Sequence, residues 1–239
     1  MALAFRFALP LLGVLVLLAA PLRAEEVDLH LVLAADVSRS VDEDEFKLQR
    51  EGYAAAFTDP RVLRAIRAGG LGKIAVTYVE WSGEVAQKVL VDWTVVGDDE
   101  SAAGFAADLL AQPRPFADRT AIGVAIEYST ALFLRSPHQS RRRTIDVSGD
   151  GTNTNGTPAS VARDRAVALG ITINGIVILS PVPMPWNTYH THPPGGLENW
   201  YRENVVGGPG SFTMVAEDFS SFAYAIANKL IREIADASE

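Results

Sequence analysis

Short apolar runs alternate along the chain with longer stretches in which apolar residues recur every three or four positions. Apolar runs of strand length predict buried β-strands, and the three-to-four-residue period predicts amphipathic helices. The predicted strands cover residues 27–35, 73–81, 85–96, 143–147, 171–179 and 211–216. The predicted helices cover residues 42–57, 60–68, 101–112, 158–169 and 218–235, with another opening at Thr120 and a shorter one over 197–204.

The order of these elements predicts the fold class. The second and third predicted strands are joined by a short turn at Ser82-Gly83, which favours an antiparallel hairpin. The other strands are separated by helices, an arrangement that favours parallel pairing through crossover connections. We therefore predict a doubly wound α/β fold, with a mostly parallel sheet, one antiparallel strand and helices on both faces.

Residues 1–24 carry a different pattern, in which a basic residue precedes a long apolar run. Arg6 is followed by almost unbroken apolar sequence over residues 8–20, and Ala24 is a small residue at the end of the segment. This combination predicts a secretory signal peptide, and the apolar run is too short to favour a membrane span. We therefore expect residues 25–239 to form one periplasmic or extracellular domain, with no membrane span after signal cleavage.

The chain is acidic and lacks cysteine. Its formal charge is −8, and loss of the signal peptide would remove Arg6 and Arg23 and bring the charge to −10. Such a charge disfavours binding to nucleic acid or to an anionic membrane surface, but it suits a cation. Because cysteine is absent, stability in an oxidising compartment has to come from packing and not from disulfides.

Oxygen-bearing side chains follow two of the predicted strands and open one predicted helix. Asp36, Ser38 and Ser40 come directly after the first strand, and Asp150 comes just after the fourth. Thr120 lies at the start of the helix between these two elements. Because ligands of such sheets bind at the carboxyl ends of the strands, we expect the five side chains to meet at one edge of the sheet.

Two carboxylates and three hydroxyls form a set of hard oxygen ligands. Such a set suits Mg²⁺ or Mn²⁺ better than zinc, and ligand type alone leaves Ca²⁺ open. The alternative is that Ser38 and Ser40 only cap the following helix, as serine often does. Capping would explain a hydroxyl but neither Asp36 nor Asp150, so the metal interpretation is favoured.

The three motifs "DVSRS", "RTAIGVAI" and "SGDG" resemble the metal-ion-dependent adhesion site (MIDAS) of von Willebrand factor type A (VWA) domains. The element order is also similar to that Rossmann-like fold, over roughly residues 27–236. The resemblance implies that Ser38, Ser40 and Thr120 supply hydroxyls to the metal, while Asp36 and Asp150 bind it directly or through water. It also implies a coordination position left for an exposed Asp or Glu of a protein partner.

The distal segments "GITINGIVI", "YRENVVGGPGSF" and "KLIREIA" resemble a family of secreted bacterial proteins that carry this domain and whose function is uncharacterised. Together, the resemblances imply a secreted, cation-dependent protein-binding module of the adhesion type and not an enzyme.

Two alternatives stay open at this point. The metal could serve only structure, with a partner docking on the proline- and aromatic-rich segment 180–210, or the site could belong to a metal-dependent hydrolase. Against the hydrolase, the chain has no Gly-x-Ser-x-Gly elbow, and no histidine has an evident nucleophile partner. His190 and His192 are spaced like a small zinc clip, but no third ligand is evident nearby, so a solvent-exposed loop is favoured.

Overall fold

The computed structural model of the chain describes residues 24–235. The described residues contain a six-stranded sheet of order β3-β2-β1-β4-β5-β6. Its strands are β1 (His30–Asp36), β2 (Ile74–Trp81), β3 (Gln87–Val96), β4 (Arg143–Gly149), β5 (Thr172–Ile178) and β6 (Thr213–Ala216). The pair β2–β3 is antiparallel, and the other four neighbouring pairs are parallel. The predicted fold class, including the early hairpin, is confirmed.

Within residues 24–235 the chain forms eight α-helices. They are α1 (Glu43–Phe57), α2 (Pro60–Arg67), α3 (Asp99–Leu110), α4 (Ile122–Leu132), α5 (Ala159–Ala168), α6 (Thr188–Thr191), α7 (Leu197–Asn204) and α8 (Phe222–Ala235), with 3₁₀ turns at Phe133–Arg135 and Phe219–Ser221. The short helix α6 has no counterpart among the predicted elements. The helix predicted to open at Thr120 begins at Ile122. The N–H groups of the two preceding residues bond to other segments, that of Thr120 to Thr154 Oγ1 and that of Ala121 to the Ser82 carbonyl.

The sheet is buried on both faces by helices. Along β1, Leu31 and Leu33 pack into the cluster that includes residues of α1, α2, α3 and α8, whereas Val32 and Ala34 pack into the cluster that includes residues of α4, α5 and α7. This two-sided burial is the reason that β1 is apolar from Leu31 to Ala35, and each buried Leu or Val contributes roughly 1.5–3 kcal/mol.

The edge that carries the candidate residues is a topological switch point. From β1 the chain proceeds through α1 and α2 to β2 on one side, whereas β4, which pairs with β1 on the other side, leads through α5 to β5. The loops that follow β1 and β4 therefore diverge and leave a crevice between them, where doubly wound sheets bind ligands.

The predicted signal peptide over residues 1–24 lies outside the described residues apart from Ala24. Among the helices between residues 24 and 235, none has the length and apolar character required to cross a membrane.

Candidate metal site

The loop that follows β1 is folded back on its own aspartate. The N–H of Ser38 donates to Asp36 Oδ1 over 2.7 Å, and Gln49 Nε2 donates to the Asp36 carbonyl over 3.0 Å. Such a local side-chain bond turns the backbone sharply at the strand end. It presents the hydroxyls of Ser38 and Ser40 on the same side as the Asp36 carboxylate.

Helix α1 is capped by another residue. Asp42 Oδ1 accepts from the N–H of Glu45, and Glu45 Oε2 accepts from the N–H of Asp42, both over 2.9 Å. This reciprocal pair is a capping box, which satisfies the first turn of the helix. The alternative that Ser38 and Ser40 cap α1 is therefore wrong, and their hydroxyls are available for other contacts.

The hydroxyls and one carboxylate form a continuous row of oxygens. Thr120 Oγ1 donates to Ser38 Oγ over 3.2 Å, and Ser38 Oγ lies 3.1 Å from Ser40 Oγ. Ser40 Oγ then donates to Asp150 Oδ1 over 2.6 Å. The structure thus brings together side chains from three segments, as predicted, with Asp36 joined to the row through Ser38. That these five residues bind a metal stays a prediction.

The two carboxylates of the cluster are buried. Asp36 has no exposed surface and Asp150 is 3% exposed. Burial raises the pKa of Asp36 well above its ordinary value, with repulsion from Asp150 as the next cause. Burial likewise raises the pKa of Asp150, to about 6, against the lowering effect of the bond from Ser40. Charging both groups is therefore unfavourable in the protein alone, and a cation between them would reverse that cost.

The donor set fits a small oxygen-preferring divalent cation. Asp36 Oδ2 is buried and has no hydrogen-bond partner within the described residues, so one carboxylate oxygen is left to a ligand. The described residues contain no group of three or more His, Cys, Asp or Glu side chains placed to hold a metal. A cation here would rely on hydroxyl as well as carboxylate oxygens, which suits Mg²⁺, Mn²⁺ or Ca²⁺.

The loop that follows β1 is held by an arginine that the sequence interpretation did not single out. Arg114 donates through one terminal nitrogen to the carbonyls of Val37, Ser38 and Val41, over 3.0, 3.2 and 2.8 Å. Its other terminal nitrogen forms an ion pair with Glu43 over 2.8 Å. Arg114 lies between Pro113 and Pro115, and this isolated cation in a stiff loop is the only sequence signal that could have indicated its role.

His190 closes the site from the side of the long segment 180–210. It is 3% exposed, and its Nε2 lies 3.3 Å from Thr120 Oγ1. Its carbonyl accepts from the N–H of Thr152 over 2.9 Å, which anchors the segment to the loop after β4. The interpretation of a solvent-exposed loop is therefore wrong for His190, although His192 is exposed. Burial lowers the pKa of His190.

The glycines that flank Asp150 allow this closure. A Cβ at Gly149 would lie 2.5 Å from the hydroxyl of Tyr201, and a Cβ at Gly151 would overlap the ring of His190. Tyr201 is fully buried, and burial together with the charges of Asp36 and Asp150 raises its pKa. Both aromatic residues come from the segment beyond β5, so the walls of the site are built by a part of the chain distant from its ligands.

A family model described as "Protein of unknown function (DUF1194)" matches residues 26–238 of the chain. The chain belongs to the DUF1194 family. No curated protein sequence matches this DUF1194 chain.

The DUF1194 chain has the fold of a VWA-like domain, as its similarity to three solved structures shows. Proximal thread matrix protein 1 from the mussel byssus, with a zinc-occupied MIDAS motif, is 13% identical with a TM-score of 0.57, over 90% of this chain and 48% of that one. The pilus adhesin SpaC from Lactobacillus rhamnosus GG is 16% identical with a TM-score of 0.56, over 89% and 30%. A von Willebrand factor type A protein from Catenulispora acidiphila is 15% identical with a TM-score of 0.53, over 90% and 43%. This chain thus spans about half the length of the mussel protein and less than half the length of each of the other two.

Proposed function

We propose that this domain is a divalent-cation-dependent protein-binding module of the adhesion type. In this proposal a cation, Mg²⁺ in the first place, recruits an Asp or Glu side chain of a partner protein. The residues that would hold the cation are Asp36, Ser38, Ser40, Thr120 and Asp150. The observation that carries the proposal is the row of oxygens from Thr120 to Asp150, beside a buried carboxylate oxygen of Asp36 that lacks a partner within the described residues.

The charges of the donor set favour an acidic partner. Three of the five donors are neutral hydroxyls, so the protein supplies at most two negative charges, from Asp36 and Asp150. When bound, a divalent cation would supply positive charge and an open position that attracts a further carboxylate. Arg114 and Gln49 hold the loop in shape through its backbone carbonyls and not through the side-chain oxygens of the candidate ligands.

The similar structures support the proposal at the level of the fold. The mussel protein carries a zinc-occupied MIDAS motif, and SpaC is a pilus adhesin. From the basic residue and apolar run within residues 1–24, we also propose that these residues are a signal peptide and that the domain over 25–239 acts in the periplasm or outside the cell.

Hydrolysis has weaker support. His190 lies beside the Thr120 hydroxyl, as a general base would lie beside a nucleophile. However, its Nδ1 is buried and has no hydrogen-bond partner within residues 24–235, so the third group that orients the base in a catalytic triad is missing there. A non-enzymatic role therefore remains the proposal.

Calorimetric titration of the metal-free protein over residues 25–239 with Mg²⁺, Mn²⁺ and Ca²⁺ tests the site. We expect saturable binding at one site in the wild type and in Asp108→Asn, whose carboxylate is exposed on α3, but not in Asp36→Ala. Absence of binding to the wild type would overturn the metal site. A metal-dependent rise in Tm, without metal-dependent retention of any partner from cell extracts, would instead favour the structural alternative, with docking on segment 180–210.

A further inference from the structure

Two cavities open beside the candidate metal site and act as the two lobes of one groove. The larger lobe, of about 420 Å³, reaches Thr120, and the smaller, of about 190 Å³, reaches Asp150. Both lobes are lined by Arg39, Ser40, Met184 and Trp186. Three of the candidate ligands, Ser40, Thr120 and Asp150, line this passage, which we call the metal-site groove, and Met184 and Trp186 line both of its lobes.

The wall of the metal-site groove is unusually apolar for an exposed segment. Trp186 is 78% exposed, and Val182 and Tyr189 nearby are 67% and 56% exposed. Among the described residues, three large aromatic side chains are exposed, those of Trp186, Tyr189 and Tyr224. The first two lie in this stretch. An exposed tryptophan beside a recognition site is typical of a residue that becomes buried by a partner.

The charge at the larger lobe favours an acidic occupant. Its charged lining residues are Arg39 and Arg119, which are exposed, and a single carboxylate, that of Asp118. Arg39 has a weak exposed contact with Asp118 at 3.7 Å, and Arg119 forms no ion pair within residues 24–235. In a chain with a formal charge of −8, a pair of arginines at this place attracts negative charge locally.

We infer that the metal-site groove binds an extended acidic segment of a partner protein, in which a large apolar side chain neighbours the carboxylate directed at the metal. The apolar side chain packs on Trp186 and Met184, and further acidic residues lie towards Arg39 and Arg119. The segment is extended because it has to run from the lobe at Thr120 to the lobe at Asp150, and a strand-like chain advances about 3.3 Å per residue along such a passage. This inference rests on the proposed function and specifies the partner's sequence type.

The test uses a library of random linear peptides displayed on phage and selected on the protein over residues 25–239 in Mg²⁺. We expect selected peptides to bind in Mg²⁺ but not in EDTA, and to share an Asp or Glu within about three residues of an aromatic or large aliphatic residue. Synthetic copies should bind Trp186→Ala at least tenfold more weakly than the wild type. The matched control is Tyr224→Ala, whose side chain is 69% exposed on α8 and whose binding should stay within twofold.

The outcomes separate this inference from the proposed function. Peptides that require Mg²⁺ and their carboxylate, yet bind Trp186→Ala as they bind the wild type, would overturn the apolar contact and leave the metal-dependent function standing. Peptides that bind equally in EDTA would contradict the proposed function itself. Selection of no Mg²⁺-dependent peptide would overturn the inference, and calorimetry of Mg²⁺ alone would then report separately on the metal site. Because Trp186 is exposed, its replacement should leave the fold and the Mg²⁺ affinity unchanged.

Discussion

Ser40 Oγ lies 2.6 Å from Asp150 Oδ1, although 110 residues separate the two in the chain. The contact joins the loop after β1 to the loop after β4, two strands that pair in parallel from His30–Arg143 to Ala35–Ser148. Because both strands end at the same edge, their terminal side chains meet without any distortion of the sheet. The candidate metal site is therefore a direct consequence of the β1–β4 pairing.

The first prediction concerns the buried carboxylate at this contact. Replacement of Asp150 by Asn should leave the metal-free protein as stable as the wild type or more stable, because burial and repulsion disfavour the ionised Asp36–Asp150 pair. In the wild type, Mg²⁺ at 100 times its Kd should raise the free energy of unfolding by about 2.7 kcal/mol, whereas Asp150→Asn should not respond. Thermal unfolding with and without Mg²⁺ measures both effects.

Asp108→Asn, an exposed change on α3, is the control for this experiment and should respond to Mg²⁺ as the wild type does. Equal stabilisation of Asp150→Asn by Mg²⁺ would remove Asp150 from the ligand set.

The second prediction concerns the arginine behind the loop. Arg114→Ala removes three hydrogen bonds to the carbonyls of residues 37–41, so the loop loses its fixed shape while its ligands remain. Residues that orient metal ligands typically change affinity by 10- to 100-fold, and we expect Mg²⁺ binding to weaken by about tenfold or more. Calorimetry with Mg²⁺ on Arg114→Ala tests this. The control is Arg64→Ala, which replaces an exposed side chain on α2. Unchanged affinity in Arg114→Ala would assign the arginine a purely structural role.

The third prediction separates two histidines that lie two residues apart. His190→Ala removes a buried ring that contacts Thr120, and we expect it to lower the free energy of unfolding by about 1–3 kcal/mol. We also expect it to weaken Mg²⁺ binding, because Thr120 loses a contact that orients its hydroxyl. His192→Ala changes an exposed side chain and should alter stability by no more than about 0.5 kcal/mol.

Denaturant unfolding and calorimetry on both histidine variants provide the comparison. Similar effects of the two substitutions would mean that the contact of His190 with Thr120 contributes nothing specific.

The fourth prediction concerns pH and a histidine remote from the site. His30 is buried at the start of β1 against Trp93 and Phe133, and burial, with smaller effects of His138 and Arg143, lowers its pKa from 6.5 to about 4. Between pH 6.5 and about pH 4 His30 is therefore protonated in the unfolded chain but neutral in the folded protein. The free energy of unfolding consequently falls as the pH decreases through this range.

From pH 7 to pH 5 the effect of His30 should amount to about 2 kcal/mol. His30→Phe should remove that part of the acid sensitivity, which urea unfolding at the two pH values measures. Parallel losses of stability in wild type and variant would show that other groups cause the acid response.

The order of strands and helices could be predicted from the sequence because the patterns that determine it are local. Apolar runs such as that before Asp36 mark buried strands, and the Ser82-Gly83 turn marks the hairpin, so only a few topologies remained. The rule that parallel strands end at one edge then sufficed to bring Asp36, Ser38, Ser40 and Asp150 together.

The sequence by itself thus determined the sheet, the helices other than α6 and the candidate ligands, since each depends on short-range patterns and general topology. Only the tertiary structure decided what holds and encloses the ligands. Arg114 reaches the Ser38 carbonyl from 76 residues away, and His190 reaches Thr120 from 70. Neither contact is marked by a pattern in the neighbouring sequence, because each exists only where packing brings distant segments together. The same packing placed Trp186 beside the site.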